Sequence, residues 1–171
     1  MSIATLPKGD PDTGAYGVAI RAVSDSTAGV PLASRQIVRR RIVAEARACL
    51  GTRFRHQGRQ PGVGLDCVGL VAVVGHRLGL VDYDLTAYGR LPRPGELERH
   101  IAAAGFTPLA PADAVAGDVL LMRIERLPQH VAIRSGRGII HAWAATRRVV
   151  EHGLDHGWRQ RIVAAYRFPG L

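Results

Sequence analysis

The order of patterns along the chain predicts an α+β fold, in which helices from the first half pack on an antiparallel sheet from the second half. Two helical patterns precede position 81, and from Asp118 onward short runs alternate between apolar and polar residues, with turns between them. A length of 171 residues suits one domain. We therefore predict an extended arm over residues 1–33 and one domain over residues 34–171.

The N-terminal segment differs in composition from the rest. Residues 1–33 are rich in Gly, Pro, Asp, Ser and Thr, and we interpret them as an extended arm that docks on a partner. Ser34 is then predicted to cap a helix from about Arg35 to Leu50, which Gly51 closes. This helix contributes basic surface through several arginines: Arg35, Arg39, Arg40, Arg41 and Arg47.

The stretch from Gly62 to Leu80 places a cysteine at a predicted helix start. Cys67 follows a glycine-rich loop and Asp66, which is a good N-cap residue, and the apolar run after it ends at Gly79. A thiol in the first turn of a helix lies near unpaired N–H groups and the positive end of the helix dipole. We therefore expect the thiolate of Cys67 to be favoured, which makes this residue the candidate nucleophile.

Cys49 and Cys67 are the only cysteines, too few for a disulfide framework. Cys49 falls on the same helical face as Val38, Ile42 and Ala46, so we expect a small buried apolar residue. A disulfide between the two cysteines would block thiol chemistry, and the sequence leaves that pairing open.

The remaining elements follow in order. Residues 81–93 look irregular, and Pro94 opens a short helix, Gly95 to Ala104, which Gly105 stops. Residues 135–138 (SGRG) are predicted to form a turn between two strands. The predicted strands are Val119 to Met122, His130 to Arg134, Gly138 to Ala142, Arg147 to Glu151 and Arg161 to Phe168.

Two histidines lie in one predicted hairpin of this sheet. Strand alternation places Val131 and Ile133 on one face and His130 on the other, and we expect the His130 face to meet the start of the Cys67 helix. A reactive thiol needs a base, and the base needs an orienting group. Cys67, His130 and His141 can fill these three roles.

The chain carries a formal charge of +9, and Lys8 is its only lysine. This balance predicts attraction to polyanions such as nucleic acid, an anionic envelope or an acidic partner, and a solvated arginine surface is the alternative. The two Trp, four Tyr and three Phe do not interleave with the basic runs, so we expect no specific nucleic-acid partner. We also expect no membrane span and no secretory signal.

Several motifs together resemble the NlpC-type cell-wall cysteine peptidases, which have a papain-like core. The form of residues 54–57 (FRHQ) and 66–70 (DCVGL) is most similar to the branch found in tails of phages and gene-transfer agents. The resemblance covers about Arg35 to Phe168. It is carried by residues 51–58 (GTRFRHQG), 66–69 (DCVG), 116–119 (AGDV), 130–133 (HVAI) and 140–142 (IHA).

The resemblance implies hydrolysis of a peptide bond in the peptidoglycan stem, typically between D-glutamate and a diamino acid. By position, Cys67 would be the nucleophile, His130 the base and His141 the third, polar member. Asp66 would help to hold the amino end of the stem peptide. The resemblance implies neither a cofactor nor a catalytic metal.

Two positions depart from the family pattern. Phe54 stands where the family usually has a tyrosine, so a hydroxyl expected near the oxyanion is missing, and His56 is the candidate to replace it. Val68 stands in place of the usual serine, which affects recognition of the stem's free amine. Phe54 and His56 are thus predicted to line the substrate site with Asp66.

The tail branch also implies a route to the substrate. We expect a protein that is made in the cytoplasm, is carried in the tail of a virion or phage-like particle, and acts in the target cell envelope. The arm over residues 1–33 and the basic surface would contact tail hub or baseplate proteins.

Two alternatives compete with this interpretation. A zinc-binding hydrolase would use Cys67, His130, His141 and one further histidine, although no close ligand pair supports it. A catalytically inactive papain-like adaptor of a tail assembly is the second. The other residues that bear on these alternatives have simpler interpretations: surface positions for His76, His100, His152 and His156, and core or groove-wall positions for Trp143 and Trp158.

Overall fold

The computed structural model describes residues 31–85, 88–90 and 93–171. These residues form four α-helices and eight strands, in the α+β order that the sequence predicts. Residues 1–30 of the predicted arm lie outside the described residues. The elements are α1 (Leu32–Ala48), β1 (Arg59–Gln60), β2 (Gly64–Leu65), α2 (Cys67–Arg77), α3 (Glu96–Ala103), β3 (Thr107–Leu109), β4 (Val119–Ile124), β5 (Leu127–Arg134), β6 (Gly138–Trp143), β7 (Arg148–Gly153), α4 (His156–Arg161) and β8 (Ile162–Arg167).

The first helix begins earlier than predicted. Its N-cap is Pro31 and not Ser34, and the backbone N–H of Arg35 donates to the Pro31 carbonyl at 3.1 Å. Pro31 has φ −58° and ψ 144°, and no side chain caps the first turn. The predicted boundary between arm and domain at residues 33 and 34 therefore falls inside α1.

Six strands form one antiparallel sheet in the order β3-β8-β4-β5-β6-β7. The predicted hairpin of β5 and β6 is confirmed, and its turn is held by Ser135, whose Oγ accepts the N–H groups of Arg137 and Gly138. Sequence patterns missed the short elements, namely β1, β2, β3 and α4, because too few residues carry a period in each of them.

The core lies on both faces of this sheet. The larger cluster joins α1 and α2 to the sheet face that carries Val131 and Ile133. The smaller cluster lies on the opposite face, where Ala132 and Ile139 pack near Trp158 of α4. The body of α2 therefore packs on the face of Val131 and Ile133, and only the start of the helix, at Cys67, can meet His130.

The end of the sheet nonetheless brings His130 toward α2. The β5–β6 ladder pairs Ile133 with Ile140 and Arg134 with Ile139, and no pairing toward His130 continues it. The two strands separate at this end. The side chain of His130 can therefore enter the gap between them, which paired strands would leave no room for.

Two ion pairs, one of them to a buried carboxylate, fix α1 on the sheet. Asp118, whose side chain is fully buried, accepts from Arg39 Nη1 at 2.6 Å and from the backbone N–H of Val115 at 2.9 Å. Arg47 forms a two-bond ion pair with Glu151 on β7. Two of the arginines expected to supply basic surface are thus used within the fold.

Both cysteines are free thiols, and Cys49, the C-cap of α1, is fully buried, which confirms its expected place in the core. None of the helices in the described part of the chain is both long enough and apolar enough to cross a membrane.

The close approach of α2 to the preceding loop explains why the DCVG motif ends in a glycine, Gly69. A Cβ at this position would lie 2.0 Å from the carbonyl oxygen of Gly58, so α2 can approach the preceding loop only without a side chain here. We expect Gly69→Ala to lower the free energy of unfolding by about 1–3 kcal/mol, because backbone must move to relieve the overlap. Urea unfolding measures this.

The matched control is Gly136→Ala, where an added Cβ meets no atom within 4 Å. It should change the free energy of unfolding by less than about 0.5 kcal/mol. Equal effects of the two substitutions would contradict the close approach at Gly69.

Candidate active site

Cys67 begins α2 and lines a cavity of about 280 Å³. His130 lines the same cavity, from the separated end of β5. The backbone N–H groups of Val131, the residue after His130, and of Val68 act on the Cys67 thiol and lower its pKa. The structure therefore brings the predicted nucleophile and the predicted base into one cavity.

His141 lies behind His130 on β6. Its Nδ1 is 2.7 Å from Nε2 of His130, and both side chains are buried. Trp143 flanks the pair, stacked on His141 and edge-on to His130. Because Nε2 of His130 is hydrogen-bonded to His141, Nδ1 of His130 is the nitrogen that can receive a proton from the thiol.

His152, predicted as a surface residue, is partly exposed but also contacts the site. His152, half-buried on β7, places its Nε2 2.9 Å from Nε2 of His141, and its Nδ1 lies 2.8 Å from the Gly153 carbonyl oxygen. In the β6–β7 ladder it pairs with Ile139, two residues before His141 and on the same face. The sequence separation of His141 and His152 can be read from the sequence, but it indicates a contact only once the register of β6 and β7 is known.

Asp66 is the N-cap of α2 and is almost fully buried. Its Oδ1 accepts from the backbone N–H of Gly69 at 2.8 Å, and its Oδ2 accepts from the backbone N–H of Gln57 at 2.6 Å and from the hydroxyl of Tyr88. Arg59 adds a donor at 3.3 Å. The carboxylate predicted to hold substrate is already surrounded by donors from the protein.

Tyr88 is a site residue that sequence reasoning missed. It lines the cavity, and His56 packs edge-on against its ring with the centroids 5.2 Å apart. Phe54, His56 and Val68 line the same cavity, so the predicted substrate-side residues do come together. The cavity thus contains a tyrosine hydroxyl despite Phe54, but on a different segment and bonded to Asp66.

Burial controls the protonation of the reactive pair. Burial, with the Asp66 charge beside it, raises the pKa of Cys67 to about 11, and the N–H groups of Val131 and Val68 lower it by less. Burial lowers the pKa of His130 to about 3, with a smaller effect from Arg161. The expectation that the helix start favours the thiolate is therefore not met at rest, because desolvation outweighs the N–H groups.

His141 is neutral for the same reason. Burial, together with repulsion from His130 and His152, lowers its pKa to about 2. In the described residues, no group of three or more His, Cys, Asp or Glu side chains is arranged to hold a metal ion. The ring nitrogens that a zinc site would use are instead hydrogen-bonded to one another.

A thiol at a helix start and an imidazole on an adjoining antiparallel sheet define a papain-like cysteine peptidase. The sequence model of the NlpC/P60 family matches residues 51–167. This match covers more than half of the chain, and the protein belongs to the NlpC/P60 family. No curated protein gives a significant match to the chain.

Several solved structures share the fold. The NlpC/p60 domain of the peptidoglycan hydrolase SagA is 25% identical, with a TM-score of 0.54 over 76% of this chain and 98% of that one. An NlpC/P60 family protein from Bacillus cereus is 21% identical, with a TM-score of 0.57 over 76% of this chain and 40% of that one. The peptidoglycan hydrolase RipB from Mycobacterium tuberculosis is 19% identical, with a TM-score of 0.56 over 82% and 69%.

Replacing Asp66 tests its structural role. In Asp66→Asn the amide can still cap α2, but an NH₂ group would replace an oxygen that accepts from Gln57 and Tyr88. We expect the free energy of unfolding to fall by about 1–3 kcal/mol, because a buried donor loses its acceptor. Urea unfolding followed by circular dichroism measures the change.

Asp155→Asn is the matched control. Asp155 caps α4 by accepting the N–H of Trp158 at 2.9 Å, and it is exposed. Its replacement should cost less than about 0.5 kcal/mol, because Asn caps as well as Asp. A similar loss at both positions would show that Asp66 acts only as a cap.

The reactivity of the two thiols is a separate prediction. Iodoacetamide should modify Cys67 before Cys49, because Cys67 lines the cavity whereas Cys49 is fully buried. The reacting species is the thiolate, and the raised pKa of Cys67 means that the thiolate forms only as the pH rises. We therefore expect the modification rate to increase throughout the range from about pH 7 to pH 10.

Peptide mass spectrometry across this pH range measures the rate at each cysteine. Cys49→Ala should give the same profile at Cys67. A rate that levels off near neutral pH would mean that the thiolate is already formed, and would contradict the neutral resting state.

Proposed function

We propose that this protein cleaves peptide bonds in peptidoglycan stem peptides, at the bond between D-glutamate and a diamino acid. The observation that carries the proposal is the cavity shared by Cys67 and His130, with His141 bonded behind the imidazole. Membership of the NlpC/P60 family and the likeness to the SagA domain, described as part of a peptidoglycan hydrolase, support the cell-wall substrate.

The reaction would proceed in two stages. The Cys67 thiol gives its proton to Nδ1 of His130 as the sulfur attacks the carbonyl carbon of the stem peptide. Backbone N–H groups at the start of α2 stabilise the oxyanion, and His130 returns the proton to the leaving amine. Water, activated by the neutral His130, then releases the acyl group and restores the thiol.

Charged side chains at the cavity fit such a substrate. Arg90 and Arg93 line it and are exposed, so they can bind the free carboxylates of a stem peptide. Glu96 lines the cavity as well and can bind a free amine. Protein donors already surround Asp66, so we assign the free amine to Glu96. Asp66 would become available to the amine only if Tyr88 moved away from it.

We further propose that the protein acts from the tail of a phage-like particle and contacts hub or baseplate proteins. The tail-like form of residues 54–57 and 66–70 supports this delivery, as do the exposed Arg40 and Arg41 on α1. Particles purified from source cells on a density gradient should carry the protein with the tail proteins, as measured by immunoblot. Recovery only in the particle-free fraction would contradict the proposal.

Replacement of each cysteine in turn tests the peptidase activity. On purified sacculi or a defined stem peptide, Cys67→Ala should reduce cleavage at least about 1,000-fold, because no other group in the cavity replaces the nucleophile. Cys49→Ala should retain activity within about threefold, since that thiol only fills the core. Chromatography and mass spectrometry of the released fragments measure the rate and identify the bond.

The outcome separates the alternatives. No cleavage by the wild-type protein, with Cys67 shown to be reduced and accessible, would favour the inactive adaptor. Cleavage that survives Cys67→Ala would exclude the thiol mechanism.

A further inference from the structure

Three imidazoles form a continuous hydrogen-bonded chain that starts at the cavity. Nε2 of His130 meets Nδ1 of His141 at 2.7 Å, and Nε2 of His141 meets Nε2 of His152 at 2.9 Å. Nδ1 of His152 then meets the carbonyl oxygen of Gly153 at 2.8 Å. This row of hydrogen-bonded imidazoles therefore ends at a backbone carbonyl, which can only accept a hydrogen bond.

That fixed end determines the direction of every bond. A carbonyl oxygen only accepts, so Nδ1 of His152 carries a proton and, in the neutral ring, Nε2 is an acceptor. Nε2 of His141 must then donate to His152, which leaves Nδ1 of His141 as an acceptor. His130 in turn must donate through Nε2, and its Nδ1 is unprotonated.

We propose that His152 is a positioning residue for catalysis, which fixes the tautomer of His130 through His141 so that Nδ1 of His130 can accept the proton of Cys67. The inference rests on the proposed peptidase function for its kinetic consequence, but not for the tautomer itself. It extends the predicted triad of Cys67, His130 and His141 by one residue on the neighbouring strand.

The side chains around the three imidazoles favour a single set of tautomers. Trp158 packs against both His141 and His152, with ring centroids 5.0 Å away in each case, and Trp143 stacks on His141. These rings cover His141, which is fully buried, and limit access of water to it, which could otherwise satisfy either tautomer. Burial and mutual repulsion also keep His141 neutral, as the alternating donors and acceptors require.

Nuclear magnetic resonance of the ¹⁵N-labelled full-length protein tests the tautomers without substrate. We expect protons on Nε2 of His130, on Nε2 of His141 and on Nδ1 of His152, with signals assigned from single His→Gln variants. A proton on Nδ1 of neutral His130, or an unprotonated Nδ1 of His152, would overturn the proposal.

Two variants of His152 test the consequence for the reaction. His152→Leu cannot accept from His141 and should lower kcat about 10- to 100-fold with little change in KM, within the range that a general base contributes. His152→Gln can accept through Oε1 and should keep kcat within about threefold of the wild type. Equal losses in both variants, or full activity in His152→Leu, would overturn the proposal.

His156→Gln is the matched control, because His156 is exposed on α4 and this variant should match the wild type. Thermal unfolding of each variant separates lost positioning from lost stability. If the wild type cleaves no stem peptide, the rate of Cys67 alkylation at neutral pH replaces kcat, and it should fall in His152→Leu but not in His152→Gln. In that case the peptidase proposal would fail, and the alkylation rates would still decide whether His152 positions His130.

Discussion

One buried carboxylate holds the reactive end of this molecule together. Asp66 is 3% exposed, and a charge in that position is tolerated only when donors surround it. Its donors come from the loop before β1, from Tyr88 and from the first turn of α2 at Gly69. Since Cys67 follows Asp66 directly, the same contacts that satisfy the carboxylate set the position of the sulfur.

This arrangement has an electrostatic cost for the nucleophile. The charge of Asp66 and the burial of the thiol both raise the pKa of Cys67, and burial lowers the pKa of His130. A preformed thiolate–imidazolium pair is thus disfavoured before substrate binds, although the helix start and the N–H of Val131 work in its favour. Charge would appear during attack, when the oxyanion and the imidazolium form together and the N–H groups have a charge to stabilise.

The sequence predicted the parts of the site that depend on local signals. Asp66 before an apolar helical run marks a helix start, and the spacing of His130 and His141 around a turn marks a hairpin, so these residues could be placed without coordinates. Tyr88 and His152 could not, because their roles arise from contacts between segments distant in sequence. Pro31 could not be predicted as the N-cap from side-chain capping patterns, because no side chain caps this helix.

The sheet face that carries His130 also could not be interpreted from alternation alone. Alternation correctly separates Val131 from His130, but it assumes a continuous sheet, and here β5 and β6 separate beyond Ile133. At the open end, an imidazole on the face away from α2 can still line the cavity of the α2 thiol. On that same face, α4 places Trp158 over His141 and β7 places His152 beside it. The smaller core cluster therefore does more than cover the sheet, because Trp158, which packs against it, also covers the buried His141 at the centre of the row of imidazoles.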